Sequence, residues 1–169
     1  LALIFLLVAC AFTTVYITQP VLPILQTEFG ITPSLASLSV SVVILGMAIT
    51  TLPIGMLSDR YPVRQLILVG GCVVAGASIV CATTDNFATL VAMRLIQGSF
   101  IPALTTCTAA WLSRTLPPNA LNVALGTYVA ATVAGGLGGR LLGGRLPPPP
   151  HWRDAFLSSR VTLLALSPL

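Results

Sequence analysis

Residues 34–64 read SLASLSVSVVILGMAITTLPIGMLSDRYPVR. No charge occurs until Asp59, and then Asp59, Arg60 and Arg64 follow within a few positions. The hydrocarbon core of a bilayer is about 30 Å thick and takes about 20 apolar residues to cross as a helix. An uncharged run of this length that stops at a cluster of charges therefore reads as a membrane-spanning helix ending at an interface. The same alternation repeats outward from this stretch. Uncharged runs cover 1–27, 29–58, 65–84, 95–113 and 115–139. They predict spans at 1–25, 34–57, 65–84, 87–112 and 119–142. A sixth candidate starts near Asp154 and runs to Leu169; from Ala155 it would reach only about 22 Å as helix, too short to cross. The expected fold class is all-α: a polytopic membrane helical bundle of five full spans plus a partial sixth, in one domain over 1–169. Because Leu1 already lies inside an apolar run, the first span is expected to lack its start and the sixth its end, as in a piece of a longer chain.

Composition excludes the soluble classes. The chain has 169 residues, 56% hydrophobic and 7% charged, with mean hydropathy +0.98. Soluble domains carry about 25% charged residues. Eight arginines, no lysine and the four acids Glu28, Asp59, Asp85 and Asp154 give a net charge of +4, without a basic run that would grip nucleic acid. The partner implied by composition is the lipid bilayer, with no nucleic acid.

The connections carry turn chemistry. Thr32-Pro33 reads as an N-cap followed by proline at the first helical position. Asp85-Asn86 and Pro117-Pro118-Asn119 separate the later spans, and Pro147 to Pro150 reads as a stiff extended loop, or as the mark of a shifted reading frame. Charge sets orientation poorly: Arg60, Arg64 and Arg114 lie on one side, Arg145 and Arg153 on the other, with Arg140 near the latter.

Small residues mark packing faces, because lipid provides no hydrophobic drive between helices and close backbone approach must do the work. Ala131, Gly135, Gly139 and Gly143 recur at every fourth position, widened by Gly136, Gly138 and Gly144. Ser34, Ser41, Ala48 and Gly55 form a second stripe, and Gly71 and Ala75 belong to span three. Such faces either pack tightly or slide and bend; span five, weakened by its glycines, is the better case for movement.

Polar residues inside spans are few. Arg94 lies roughly 10 Å into span four, where insertion scales charge about 2.5–3.5 kcal/mol for it. Gln97, Gly98 and Thr105 share its face. This line suggests a water-filled cavity, with snorkelling of a lone arginine as the alternative. Span one carries Thr13, Tyr16, Gln19, Pro20 and Pro23, and proline frees carbonyls that a neighbour or a cavity must satisfy. Spans one and four both place Gln and Pro in their later halves, as expected of a 3+3 repeat. Asp59 can pair with Arg60 or Arg64, face a helix N-terminus, or sit in a solvated turn. Cys10, Cys72, Cys81 and Cys107 lack metal or disulfide spacing, and His151 is the only histidine. No metal, cofactor or catalytic group is expected, which leaves a membrane enzyme as the weakest reading.

The motifs carry a resemblance. Gly55-Met-Leu-Ser-Asp59-Arg60-Tyr-Pro-Val-Arg64 resembles the loop signature of the major facilitator superfamily, and Leu90-x-x-x-Arg94-x-x-Gln97-Gly98 resembles its span-four motif. Tyr16-x-x-Gln19-Pro20 and Trp152-Arg153-x-x-Phe156 are similar to the ends of the N-terminal half in its drug:proton antiporter and sugar-efflux-like branch. Tyr128 through Gly135-Gly136-Leu-Gly-Gly139-Arg140 resembles the span-five motif there. The chain departs from the pattern at Pro62 and Val63, in lacking proline after Gly135, and in carrying Arg114 where an acid is common. The resemblance implies the N-terminal half, with its 3+3 repeat, of a twelve-helix transporter working by alternating access. It implies a multi-pass protein of the cell (inner) membrane with a cytoplasmic N-terminus. It further implies a cytoplasmic gate at Gly55, Asp59, Arg60 and Arg64, a cavity or coupling group at Arg94, Gln97, Gly98, Tyr16 and Gln19, and conformational glycines at Gly135, Gly136 and Gly139. The expected function is secondary active transport of small organic solutes, by efflux, with protons as the candidate coupling ion and a missing C-terminal half as partner. The alternative is an inactive truncated fragment or pseudogene product.

Overall fold

The computed structural model describes residues 2–145, which form α1 (Ala2–Tyr16), α2 (Leu22–Phe29), α3 (Pro33–Leu57), α4 (Val63–Thr83), α5 (Phe87–Thr115) and α6 (Pro118–Arg145). The expected sixth span, the proline run, His151 and the Trp152–Phe156 motif lie outside the described residues. Helix starts follow the capping chemistry of the sequence. The Thr32 hydroxyl accepts from the Leu35 amide at 3.4 Å, with Pro33 opening α3. Asn86 caps α5 by accepting from the Ala88 amide at 2.9 Å. The all-helical, membrane-type class is as expected: α3, α4, α5 and α6 are each long and apolar enough to span a bilayer. Outward side chains such as Leu52, 74% exposed, and Val123, 70% exposed, are the apolar surface that lipid demands.

The first span departs from the expected continuous helix over 1–25. It is broken into α1 and α2 by a turn at 17–21. Pro20 brings no N–H to the Tyr16 carbonyl and Pro23 brings none to that of Gln19. The Gln19 amide therefore folds back onto Tyr16 O at 3.1 Å, and the Val21 amide onto Thr18 O at 3.1 Å. Pro53 and Pro102 lie inside α3 and α5 without dividing them. α2 ends at Gly30, which takes φ +60°, a left-handed turn open to glycine.

α5 is the central strut. α3 and α4 lie along it, while α1 pairs with α6 and meets α5 over a shorter stretch. Glycines set these approaches. A methyl on Gly46 would come within 2.8 Å of the Leu95 carbonyl oxygen, and one on Gly98 would overlap the Val43 backbone, so α3 and α5 cross backbone to backbone. Gly70 of α4 lets Ala103 of α5 come close in the same way. The stripe expected on span two does not make this contact. Ser34, Ser41 and Ala48 are exposed, and α3 instead buries Ala36, Ser39, Val43 and Gly46. α5 offers its own gap at Gly98, which the backbone of Val43 enters, with Gly46 set against Leu95 and Ser99. The span-five stripe does pack: Gly135, Gly139 and Gly143 are buried against the backbone of Ala9, Thr13 and Ile17 in α1.

Candidate functional site

An α-helix leaves its last four carbonyls without intrahelical donors. For α1 these belong to Thr13, Thr14, Val15 and Tyr16. Thr13 O accepts from the Ile17 amide at 2.9 Å, and Tyr16 O from Gln19. The remaining two are met from another helix. Arg94 Nη1 donates to Thr14 O at 3.2 Å and Nη2 to Val15 O at 3.1 Å. Its Nε donates to Ser39 O in α3 at 3.2 Å, and Nη1 also reaches Gln97 Oε1 at 2.9 Å. Gln97 Nε2 in turn donates to Ser78 Oγ and Val74 O in α4. One guanidinium thus binds α1, α3 and α5 directly, and α4 through Gln97.

The geometry fits the charge. A helix C-terminus concentrates partial negative charge, and a cation placed there is stabilised by about 0.3–1 kcal/mol, rising to ~2 in partly buried settings. Hydrogen bonds to an ionised donor are roughly twice as strong as neutral ones. Arg94 and Gln97 are both 0% exposed. The expected water-filled cavity is therefore not what surrounds this line of polar residues, and Arg94 does not snorkel. Three carbonyls and the Gln97 amide oxygen satisfy Arg94, because the proline-broken α1 supplies free acceptors at its level. Gly98, also expected to admit a close neighbour, admits the backbone of α3.

Tyr16 and Gln19 stand apart from this cluster, on the α6 side of the break. Arg140 lies over the Tyr16 ring, 4.8 Å from its centroid, and its Nε donates to Gln19 Oε1 at 2.9 Å. Gly136 gives the Tyr16 ring room, since a methyl there would meet it at 3.1 Å. Gly135 and Gly139 bear on the α1 backbone, and the Thr13 hydroxyl donates to Gly135 O at 3.0 Å.

At the opposite end of α5, Asp59 pairs with Arg114 rather than with Arg60 or Arg64. Arg114 Nη1 also donates to Ser58 O at 3.1 Å, and the Ser58 hydroxyl donates to Gly55 O at 2.7 Å. Arg60 and Arg64 are exposed. Helix geometry explains the choice: the chain bends after Leu57 so that the Ser58-Asp59 turn faces the last turn of α5. Sequence reasoning missed Ser39, Ser78 and Gly46, and the roles of Arg114 as the partner of Asp59 and of Arg140 as a partner of Gln19. Arg114 was findable as the one charge at the end of α5. Ser39 and Gly46, seven positions apart, are a small-residue pair like those that were read elsewhere.

A bundle of apolar helices, one of them broken and tied to a buried arginine, defines a multi-pass membrane protein of the kind whose irregular backbone is held inside the protein. The family model of the Major Facilitator Superfamily matches residues 4–169, and the chain belongs to that superfamily. It is 31% identical over 148 residues to an uncharacterized MFS-type transporter, YybF, of Bacillus subtilis, covering 86% of this chain and 36% of that protein. It is 27% identical over 145 residues to the inner membrane transport protein YnfM of Escherichia coli, covering 86% and 35%. It is 29% identical over 147 residues to the drug efflux pump JefA of Mycobacterium tuberculosis, covering 86% and 29%. The chain thus spans about a third of the length of these curated relatives.

Proposed function

We propose that this chain forms the N-terminal half of a secondary active transporter in the inner membrane, exporting small organic solutes by alternating access with protons as the coupling ion. The observation that carries the reading is the discontinuous α1, with its freed carbonyls gathered by Arg94. Transporters place broken helices near their solute sites because unwound backbone offers polar groups inside the membrane. Membership of the superfamily, and relatives named as transport and efflux proteins, support the same reading. Neither a membrane enzyme nor an inactive fragment gains support from those relatives.

In this reading a second six-helix half completes the cavity, the N-terminus and the Ser58–Gln65 turn face the cytoplasm, and the Asp59–Arg114 pair at that face opens and closes during the cycle. Gly135, Gly136 and Gly139 let α6 shift against α1. The test is solute flux by the full-length protein in proteoliposomes, with and without a proton gradient. Saturable, gradient-dependent flux is expected, and its absence over a broad solute panel would overturn the reading. The 169-residue chain alone should move nothing; saturable flux by it would refute the half-transporter assignment. A single cysteine replacing Ser58 should resist an impermeant reagent in intact cells, and labelling there would invert the orientation.

A further inference from the structure

Between α1 and α6 lies an open cleft of about 330 Å³, with Phe12, Tyr16, Val133, Leu137 and Arg140 among its walls. Among the described residues its electrostatics are one-sided. Arg140 is exposed, and none of the described acids, Glu28, Asp59 and Asp85, lines the cleft. The guanidinium is held at two points, by Nε to Gln19 and by stacking over Tyr16. Both Nη atoms donate to no group among the described residues. A planar fork fixed in place, with its two outer nitrogens unspent, matches a carboxylate bidentately. Fixing the fork beforehand reduces the ordering cost of binding. Apolar and aromatic walls on either side suit the body of the same molecule, and Gly136 keeps the floor beside Tyr16 clear.

We infer that this cleft binds a small organic anion, its carboxylate on the Nη atoms of Arg140 and its apolar body against Phe12, Tyr16 and Leu137. The inference rests on the transporter reading and names the class of solute within it. Arg94 does not compete for this role, because its donors are already committed to carbonyls and Gln97 in the sealed interior.

The test is calorimetric titration of the purified 169-residue chain in detergent with benzoate, with neutral benzamide and the tetraphenylphosphonium cation as comparisons. Benzoate should bind, benzamide should bind about tenfold more weakly or not at all, and Arg140→Gln should weaken benzoate by about tenfold or more. Arg140→Lys, which keeps the charge and loses the fork, should retain part of the affinity. Arg140 is exposed, so these variants are expected to fold, and unchanged helical circular dichroism checks this. Equal binding of benzoate and benzamide, binding unaffected by Arg140→Gln, or binding of the cation alone would overturn the proposal. Loss of benzoate binding in phosphatidylglycerol nanodiscs, with retention in phosphatidylcholine, would assign the fork to a net-anionic lipid headgroup and overturn the solute assignment. The two readings fail separately. Benzoate binding here with no flux by the full-length protein would sink the transporter and keep the anion site, whereas flux of solutes other than anions would do the reverse.

Discussion

Arg94 and Arg114 sit on the same helix, roughly 30 Å apart along it at 1.5 Å per residue, and both grip the backbone of another segment. Arg94 is fully enclosed and spends its donors on three carbonyls and an amide oxygen. Arg114 is half exposed and shares its donors between one carbonyl and the carboxylate of Asp59, itself 65% exposed. The same side chain is therefore a tie sealed from water in one place and, in the proposed cycle, a releasable latch in the other. The difference comes from burial. Separating Arg94 from its acceptors would leave polar groups unpaired in a dry interior, whereas water and ions can replace either partner of the exposed pair.

The largest effect tests the enclosed tie. Arg94→Ala should strand the Thr14, Val15 and Ser39 carbonyls and the Gln97 side chain, at about 1–3 kcal/mol for each buried group left unsatisfied. We expect a large drop in thermal stability in detergent and no transport by the full-length protein. Arg94→Lys, with a single ammonium and no fork, should recover only part of the stability. Normal stability of the alanine variant would show that the tie is not structural. Next in size, Gly98→Ala should cost about 1–3 kcal/mol through overpacking, because the added methyl meets the Val43 backbone. Gly55→Ala sharpens the contrast. Its nearest neighbour, Thr106 Cγ2, would lie 3.7 Å away, so the change should be neutral or stabilise by about 0.5–1 kcal/mol. The same thermal measurement on both glycine variants separates a contact glycine from a motif glycine.

The smallest equilibrium effect belongs to the latch. Arg114→Gln should change stability by about 0–1 kcal/mol, the range for exposed pairs, and less at high salt. Its signature should be kinetic: an altered transport rate, partly restored by exchanging the two residues in an Asp59→Arg, Arg114→Asp double variant. A rate unchanged by Arg114→Gln would remove the latch from the cycle.

Much of this contrast was legible in the sequence. The long spans could be read because charges interrupt the apolar runs so sparsely, and Arg94 stood out as the one charge deep inside a span, Arg140 lying near an interface. Its environment was not legible. A line of Arg, Gln and Thr on one helix reads the same whether it faces water or the carbonyls of a broken neighbour. Deciding between the two requires knowing that the break in span one lies at the level of Arg94. Pro20 and Pro23 announced freed carbonyls but not which residue would claim them. The partner of Asp59 was hidden for a related reason. Arg60 and Arg64 were near in sequence, while Arg114 is near only once α3 and α5 cross at Gly46 and Gly98. The smooth stripe on span two misled because a seven-residue repeat of small residues describes any outward face equally well.

The break in α1 also bears on how the protein is made. The end of α1 presents two carbonyls, those of Thr14 and Val15, that are met from α5 rather than from its own segment. Those acceptors wait for Arg94, which emerges from the ribosome only after α2, α3, α4 and the first two turns of α5. α1 therefore cannot settle in lipid until α5 arrives, and the insertion machinery must shelter it meanwhile. Nascent chains stalled before residue 94 should leave α1 accessible to aqueous reagents, and chains stalled beyond α5 should not.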